Sequence, residues 1–281
     1  MTSSPYLVST QWLADNLGAP DLVIVDGSWH LPPTGRNGKA EFLEHHIPGA
    51  VFFDIDAISD HSSDLPHMLP DALAFSAAVG KLGIGDGLRI VVYDQLGLFS
   101  AARVWWTFRA FGVAEVMILD GGLPQWLAEG RETESGPSTR PTASFMARLD
   151  RSIIADIAQV ERALTAGTSQ VLDARPAARF RGEAPEPRAG IASGHIPGSL
   201  NLPFSEIVKD GHLAEPEALR AALEGAGVDL SRPVITSCGS GVSAAILWLA
   251  LDSIGKRPHA LYDGSWAEWA AAGKPVATGA E

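Results

Sequence analysis

The chain carries the same landmarks twice, in the same order. His46-Ile47-Pro48-Gly49 returns as His195-Ile196-Pro197-Gly198. Upstream of each copy an apolar run ends in aspartate, Val23-Ile24-Val25-Asp26 and Gln170-Val171-Leu172-Asp173; downstream, Asp120-Gly121 with Trp126 is matched by Asp263-Gly264 with Trp269. Three landmarks at nearly constant offset are explained most simply by two homologous halves, and 281 residues suit two domains of ordinary size. From Arg131 to about Arg151 the chain is rich in Thr, Ser, Gly and Pro without helical periodicity, which marks a linker. The expected division is a first domain over 1–135, a linker over 136–151 and a second domain over 152–281.

Within each half, short β-branched runs alternate with helical stretches. Strands are predicted over 22–26, 50–52, 90–93 and 116–119, then over 171–173, 200–202, 234–237 and 260–262. Helices are predicted over 71–82, 100–111, 215–226 and 243–254, with Gly83, Gly112, Gly227 and Gly255 as their stops. The alternation implies an α/β fold, each half a mainly parallel sheet flanked by helices. Ligands in such sheets bind at the strand C-termini.

Cys238 is the only cysteine, and it stands at one such terminus, where 234–237 meets Gly239-Ser240-Gly241-Val242-Ser243 and then a helix. A short loop with two glycines can turn successive backbone N–H groups inward, and the following helix adds its positive dipole end, so the arrangement stabilises a thiolate. A free cysteine is also a common small core residue, but packing at a strand end does not require Gly-Ser-Gly directly afterwards; the loop points to a nucleophile. Aligning 90–94 on 234–238 places Asp94 opposite the cysteine. A carboxylate in a ring of N–H donors reads as a structural anion, so the first half is expected to be catalytically inactive.

Composition narrows the function classes. With 46% hydrophobic residues the core is ample, and with one cysteine no internal disulfide can form. A net charge of −12 argues against nucleic-acid or anionic-membrane binding. No apolar stretch is long enough to cross a bilayer, and Met1-Thr2-Ser3-Ser4-Pro5 lacks the basic start and apolar core of a signal peptide, so a cytoplasmic protein is expected. His46 and His195 precede Ile-Pro-Gly turns and are read as ties between backbone groups. His45, His46, His61 and His67 form no recognisable zinc spacing, so no metal is expected. The glycine loops match no phosphate or dinucleotide signature, so no cofactor is expected. Trp105, Trp106, Trp266 and Trp269 read as core and interface anchors rather than a stacking platform.

Taken in order, the two His-Ile-Pro-Gly turns, Phe52-Phe53-Asp54-Ile55-Asp56, Pro66-His67-Met68-Leu69-Pro70, Asp173-Ala174-Arg175, Pro185-Glu186-Pro187-Arg188, Cys238-Gly239-Ser240-Gly241-Val242 and Leu261-Tyr262-Asp263-Gly264 make a specific set. On these residues the chain resembles the tandem-domain rhodaneses, and among them those that use 3-mercaptopyruvate. The resemblance spans nearly the whole chain and departs at Ser243, where threonine is usual. It implies that Cys238 takes sulfur from a donor as a persulfide and passes it to a thiophilic acceptor: cyanide, a small thiol or thioredoxin. It also implies that the neutral Gly239-Ser240 pair suits 3-mercaptopyruvate, whereas thiosulfate users carry basic residues there. Arg179 and Arg188 match the positions that hold the donor carboxylate and keto oxygen. Ser240 matches a serine that assists the departing fragment, with Gly239, Gly241, Val242 and Ser243 completing the donor loop.

Other readings stay open at this level. Arg179 and Arg188 could pair with Glu183 and Glu186 at the surface, and Ser240 could only stabilise its loop. A cysteine phosphatase would need arginine six residues after the cysteine, where Ala244 stands. A thiosulfate:cyanide sulfurtransferase and a non-catalytic rhodanese-like binding module remain the alternatives.

Overall fold

The computed structural model describes residues 4–256 and 260–279; Met1 to Ser3 of the opening stretch lie outside them. The chain forms two compact units: Met1–His61 with Leu69–Asp150 and Asp210–Leu213, and Ser62–Met68 with Arg151–Lys209 and Ala214–Glu281. Each unit therefore includes a short segment from the other half of the sequence.

The first unit runs β1 (Leu7–Val8), α1 (Thr10–Asp15), β2 (Leu22–Asp26), α2 (Gly38–Glu44), β3 (Val51–Phe52), α3 (Ala72–Lys81), β4 (Arg89–Tyr93), α4 (Ser100–Ala110), β5 (Val116–Leu119) and α5 (Gly122–Ala128). Its parallel sheet has the order β1-β5-β4-β2-β3. The second half follows with β6 (Ile154–Ala155), α6 (Ile157–Ala166), β7 (Gln170–Asp173), α7 (Ala177–Phe180), β8 (Leu200–Asn201), α8 (Phe204–Ile207), β9 (Val208–Lys209), β10 (His212–Leu213), α9 (Pro216–Gly225), β11 (Val234–Ser237), α10 (Ala244–Ser253), β12 (Ala260–Tyr262) and α11 (Ser265–Ala271). Its main sheet is also parallel, in the order β6-β12-β11-β7-β8. In both sheets the strand after which Asp94 or Cys238 stands is the central one. Burial on both faces explains why Ile90 to Tyr93 and Val234 to Ser237 are all buried and carry no charged residue.

The four predicted long helices are present, and Gly83, Gly112, Gly227 and Gly255 each lie one residue past the C-cap with φ of 77°, 89°, 83° and 74°. That left-handed conformation closes the last turn, and glycine adopts it without steric cost. α10 is apolar on every face and wholly buried from Ala244 to Asp252, whereas α9 buries only Leu219 and Leu223, one turn apart. The edge strands β1 and β6 were not predicted, because two residues show no periodicity; pairing with β5 and β12 makes them strands. α6 did carry a signal, the Asp156–Gln159 capping box.

Of the segment 136–151, read as a linker, the part up to Asp150 is strapped to the first unit. Ala143 N–H donates to Gly80 C=O, Arg148 N–H to Phe111 C=O and Asp150 N–H to Ala110 C=O. The tryptophans Trp105, Trp106, Trp126, Trp266 and Trp269 are buried. The duplicated pair makes duplicated bonds: Trp126 Nε1 donates to Glu132 C=O and Trp269 Nε1 to Pro275 C=O, both at 2.8 Å.

The duplicated aspartates differ in charge balance. Asp173 faces the guanidinium of Arg175, whereas Asp26 has Ser28 at the corresponding place, whose N–H donates to it at 2.8 Å. Burial pushes the Asp26 carboxyl up to about 7, the negative Asp94 adds to the rise, and hydrogen bonds from Ser28 and Tyr93 offset only part of it. Below about pH 4 both native and unfolded states are protonated and no penalty arises. Between there and about pH 7 the native state keeps a proton that the unfolded chain releases, so stability falls as pH rises, by about 4 kcal/mol at most. Asp26→Asn is expected to remove this loss, so the variant gains on the native protein between pH 4 and pH 8 in chemical denaturation.

Candidate active site

Central strand β11 ends at Ser237, and Cys238 follows with 2% of its surface exposed. The loop after it is held by its carbonyls: Trp266 N–H donates to Cys238 C=O at 2.9 Å and Ala267 N–H to Gly239 C=O at 3.0 Å, which anchors it on the first turn of α11. Ser265 completes the anchor, its Oγ accepting from Cys238 N–H at 3.2 Å and donating to Tyr262 C=O at 2.8 Å. The first half shows what such a loop does with an anion. There Asp94 accepts from Leu96 N–H at 2.8 Å and from Phe99 and Ala101 N–H at 2.7 and 2.8 Å. The counterparts of Leu96 and Phe99 are Ser240 and Ser243, whose N–H groups have no protein acceptor among the described residues.

Two arginines reach this loop. Arg188 Nη1 donates to Ser240 Oγ at 3.1 Å, and its Nη2 to His67 Nε2 at 2.8 Å. Arg179, on α7, lies so close to Gly239 that a Cβ there would stand 2.9 Å from Arg179 Nη2. A side chain at 239 would push the flexible end of Arg179 aside, so glycine leaves room for the guanidinium against the loop. Arg179 is held in turn by Glu186, with Nε donating to Oε1 at 3.1 Å and Nη2 to Oε2 at 2.5 Å.

Behind them lies Arg175, fully buried. Its Nε donates to Asp173 Oδ2, its Nη1 to Glu186 Oε1 and its Nη2 to Gly194 C=O, each at 2.9 Å, and its guanidinium stacks 4.8 Å over the Trp266 ring. Burial alone would lower its pKa, but the Asp173 and Glu186 charges and hydrogen bonds outweigh that and raise it. His195 supports the same group from the side. Its ring lies parallel to Phe180 at 3.8 Å, and Nδ1 bonds Phe180 C=O at 2.8 Å, fixing the end of the helix that carries Arg179. His46 repeats this on Phe42 in the first half. The residue before Phe42 is Glu41, which takes His30 and Arg36 as partners. Where the second half has cysteine and arginine, the first has two carboxylates.

The rhodanese-like domain matches twice, over residues 9–129 and 156–272. The chain belongs to the rhodanese family. It is 47% identical over 270 residues to 3-mercaptopyruvate sulfurtransferase of Mus musculus, covering 94% of this chain and 91% of that one. It is 45% identical over 271 residues to thiosulfate sulfurtransferase of Bos taurus, with the same coverage. The crystal structure of SseA from Escherichia coli, described as a 3-mercaptopyruvate sulfotransferase, superposes with a TM-score of 0.87 at 42% identity over 95% of this chain and 99% of that one.

Within this rhodanese, the residues read from sequence as a site come together: Cys238, Gly239, Ser240, Arg179 and Arg188 adjoin one another, and Gly241, Val242 and Ser243 complete the loop into α10. The paired-arginine reading also holds, in altered form. Arg179 does pair with Glu186, but in a buried fork rather than at the surface, while Glu183 pairs with Arg181. Four supporting residues were not given roles from sequence. Arg175 stood in a motif without an assigned partner, Glu186 was weighed only as a surface partner for arginine, Ser265 had no signal, and His67 was weighed only as a metal ligand. Its link to Arg188 crosses 121 residues of sequence, and only folding reveals it.

The buried triad yields a stability prediction. Arg175→Leu leaves Asp173 and Glu186 without their shared cation, and breaking a buried ion pair from one side costs about 3–5 kcal/mol. A drop of that size in denaturant unfolding is the expected outcome, checked on the isolated variant.

Proposed function

We propose that the protein is a sulfurtransferase that moves sulfur from 3-mercaptopyruvate through a Cys238 persulfide to a thiophilic acceptor. The observation that carries the donor choice is the convergence of two guanidinium groups on a neutral loop: Arg188 on Ser240 and Arg179 against Gly239. Overall identity does not choose the donor, because mercaptopyruvate and thiosulfate enzymes are similar to this chain to the same degree. The planar guanidinium fork suits an organic carboxylate, and the loop adds no further positive charge for an inorganic dianion.

In this reading the thiolate of Cys238 attacks the donor sulfur and the carbon–sulfur bond breaks. Its electron pair goes to carbon, giving the enolate of pyruvate beside the arginine charges, and protonation releases pyruvate. The sulfur stays as Cys–S–S⁻, and the acceptor then removes the outer sulfur and regenerates the thiolate. Ser240 Oγ accepts a hydrogen bond from Arg188, so its own proton is directed away from that arginine, toward the departing fragment. His67 accepts from the other Arg188 nitrogen and fixes the guanidinium plane. The first half, with Asp94 seated on its own amides, holds no nucleophile at that position and serves as scaffold. A small thiol, cyanide or thioredoxin can serve as acceptor, and a reducing compartment such as the cytoplasm keeps the single thiol usable. No helix among the described residues is long and apolar enough to cross a membrane.

Replacing Cys238 with Ser is expected to abolish pyruvate release from 3-mercaptopyruvate while leaving the circular dichroism spectrum unchanged. Mass spectrometry of the native protein after donor treatment is expected to show one added sulfur on the Cys238 peptide. Turnover by the serine variant, or a native preference for thiosulfate, overturns the assignment. For the arginines, Arg179→Ala and Arg188→Ala each lose a charge-assisted contact, a fall of about tenfold to a hundredfold in kcat/KM. Lysine restores activity only in part. Steady-state kinetics on folded variants check this.

A further inference from the structure

We propose that the second unit carries a separate binding site, at the N-terminal end of its sheet, for an organic phosphate monoester with an apolar body. The proposal goes beyond the sulfur-transfer reading and does not depend on it. A cavity of about 630 Å³ opens at that end, a volume that suits a small-molecule ligand. Its lining residue Pro233 directly precedes β11, whereas Cys238 follows the other end of the same strand. At about 3.3 Å per residue, β11 holds the two places roughly 13 Å apart, so a ligand in the cavity does not occupy the cysteine loop.

Ligands of open α/β sheets usually gather at the opposite, C-terminal end; here the side chains of the cavity point to a ligand. Arg151 and Arg162 both line it, and among the described residues neither guanidinium makes an ion pair or a hydrogen bond. The chain has 33 acidic residues against 21 basic ones, yet no carboxylate is among the lining residues. Ser169 is only 6% exposed, and its hydroxyl also has no partner among the described residues, although a buried hydroxyl ordinarily has one. Gln159 adds an amide. Its Oε1 accepts from Asp156 N–H at 2.8 Å, which leaves the NH₂ end available to a ligand, and Asp156 is itself engaged in capping α6 through Gln159 N–H at 2.7 Å.

These groups all offer donors. A phosphate monoester brings three acceptor oxygens and nearly two negative charges at neutral pH, which match two guanidinium groups, a hydroxyl and an amide better than the two oxygens and single charge of a carboxylate do. Ile154, Ala163, Ile235 and Ala260 supply an apolar wall for the body of the ester. A cavity of about 330 Å³ in the first unit is lined instead by Asp86 and Glu115 with no basic residue, and disfavours the same ligand.

Isothermal titration calorimetry with phenyl phosphate as the probe tests the site, on the native protein and on Arg151→Gln, Arg162→Gln, Arg181→Gln and Arg188→Ala. The native protein is expected to bind the probe saturably. Arg151→Gln and Arg162→Gln, both at exposed positions, are each expected to weaken binding by about tenfold to a hundredfold, the loss of one charge-assisted contact. Arg181→Gln, which alters an exposed pair with Glu183, is expected to stay within about threefold of the native affinity. Inorganic phosphate lacks the apolar body and benzoate lacks the second charge and third oxygen, so each is expected to bind the native protein at least about tenfold more weakly than phenyl phosphate. No saturable binding at up to about 10 mM phenyl phosphate, or native affinity retained in either Arg151→Gln or Arg162→Gln, overturns the proposal. Equal affinity for inorganic phosphate or benzoate does the same. Weakening by Arg188→Ala but not by Arg162→Gln places the probe at the Cys238 loop and overturns it as well.

Discussion

A strand that ends in the middle of a parallel sheet leads the chain into a loop whose amides have no ladder to join, and the rest of each half is arranged around how those amides are used. In the first half they close on the Asp94 carboxylate with three hydrogen bonds. The second half has the same loop length and a thiol in place of the carboxylate. There the counterpart of Ala101, Ala245, turns its N–H to Val242 C=O, so the two loops share a frame but not the full set of donors.

Holding that loop in place takes a continuous series of contacts. Ser265 and the first turn of α11 fix the Cys238 loop through its backbone. Trp266 follows Ser265 and carries Arg175 on its ring, and Arg175 grips Asp173 at the end of the neighbouring strand β7. Asp173, Arg175, Glu186 and Arg179 form an unbroken run of ion pairs from the sheet to the loop, and His195 clamps the end of α7 that bears Arg179. Asp173, Arg175 and His195 are buried and Arg179 is half-buried, each with a charged or hydrogen-bonded partner, the condition under which such groups can hold a fixed geometry.

The two halves show how the same frame can carry opposite electrostatics. The second half brings cationic groups to the loop; the first has Asp94 and Glu41 at the matching places, and Ser28 where Arg175 stands. Without a guanidinium, Asp26 is left with burial as its dominant influence, and its carboxyl rises to about 7. Asp173, on the same strand position, is paired. Loss of the cations from one copy is felt as an internal titration rather than as a binding site.

Much of this was open to reading in the linear chain. The duplication, the central strands, the four long helices with their glycine stops, and the Cys238 loop were legible because each is a local pattern, and local patterns follow from backbone sterics and burial alone. The short edge strands were not, since two residues become a strand only when a neighbour pairs with them. Arg179 and Arg188 could be named from their motif, but whether they faced solvent or the loop depended on which way α7 and the 186–188 turn pack. Glu186 looked like a surface partner for arginine until the fold buried it between two of them. His67 belongs to a segment of the first half that the fold places in the second unit. The sequence by itself determined the frame and the place of the lone cysteine; the tertiary structure decided which charges surround it, because charge balance in a buried site is set by groups that meet only when distant segments pack.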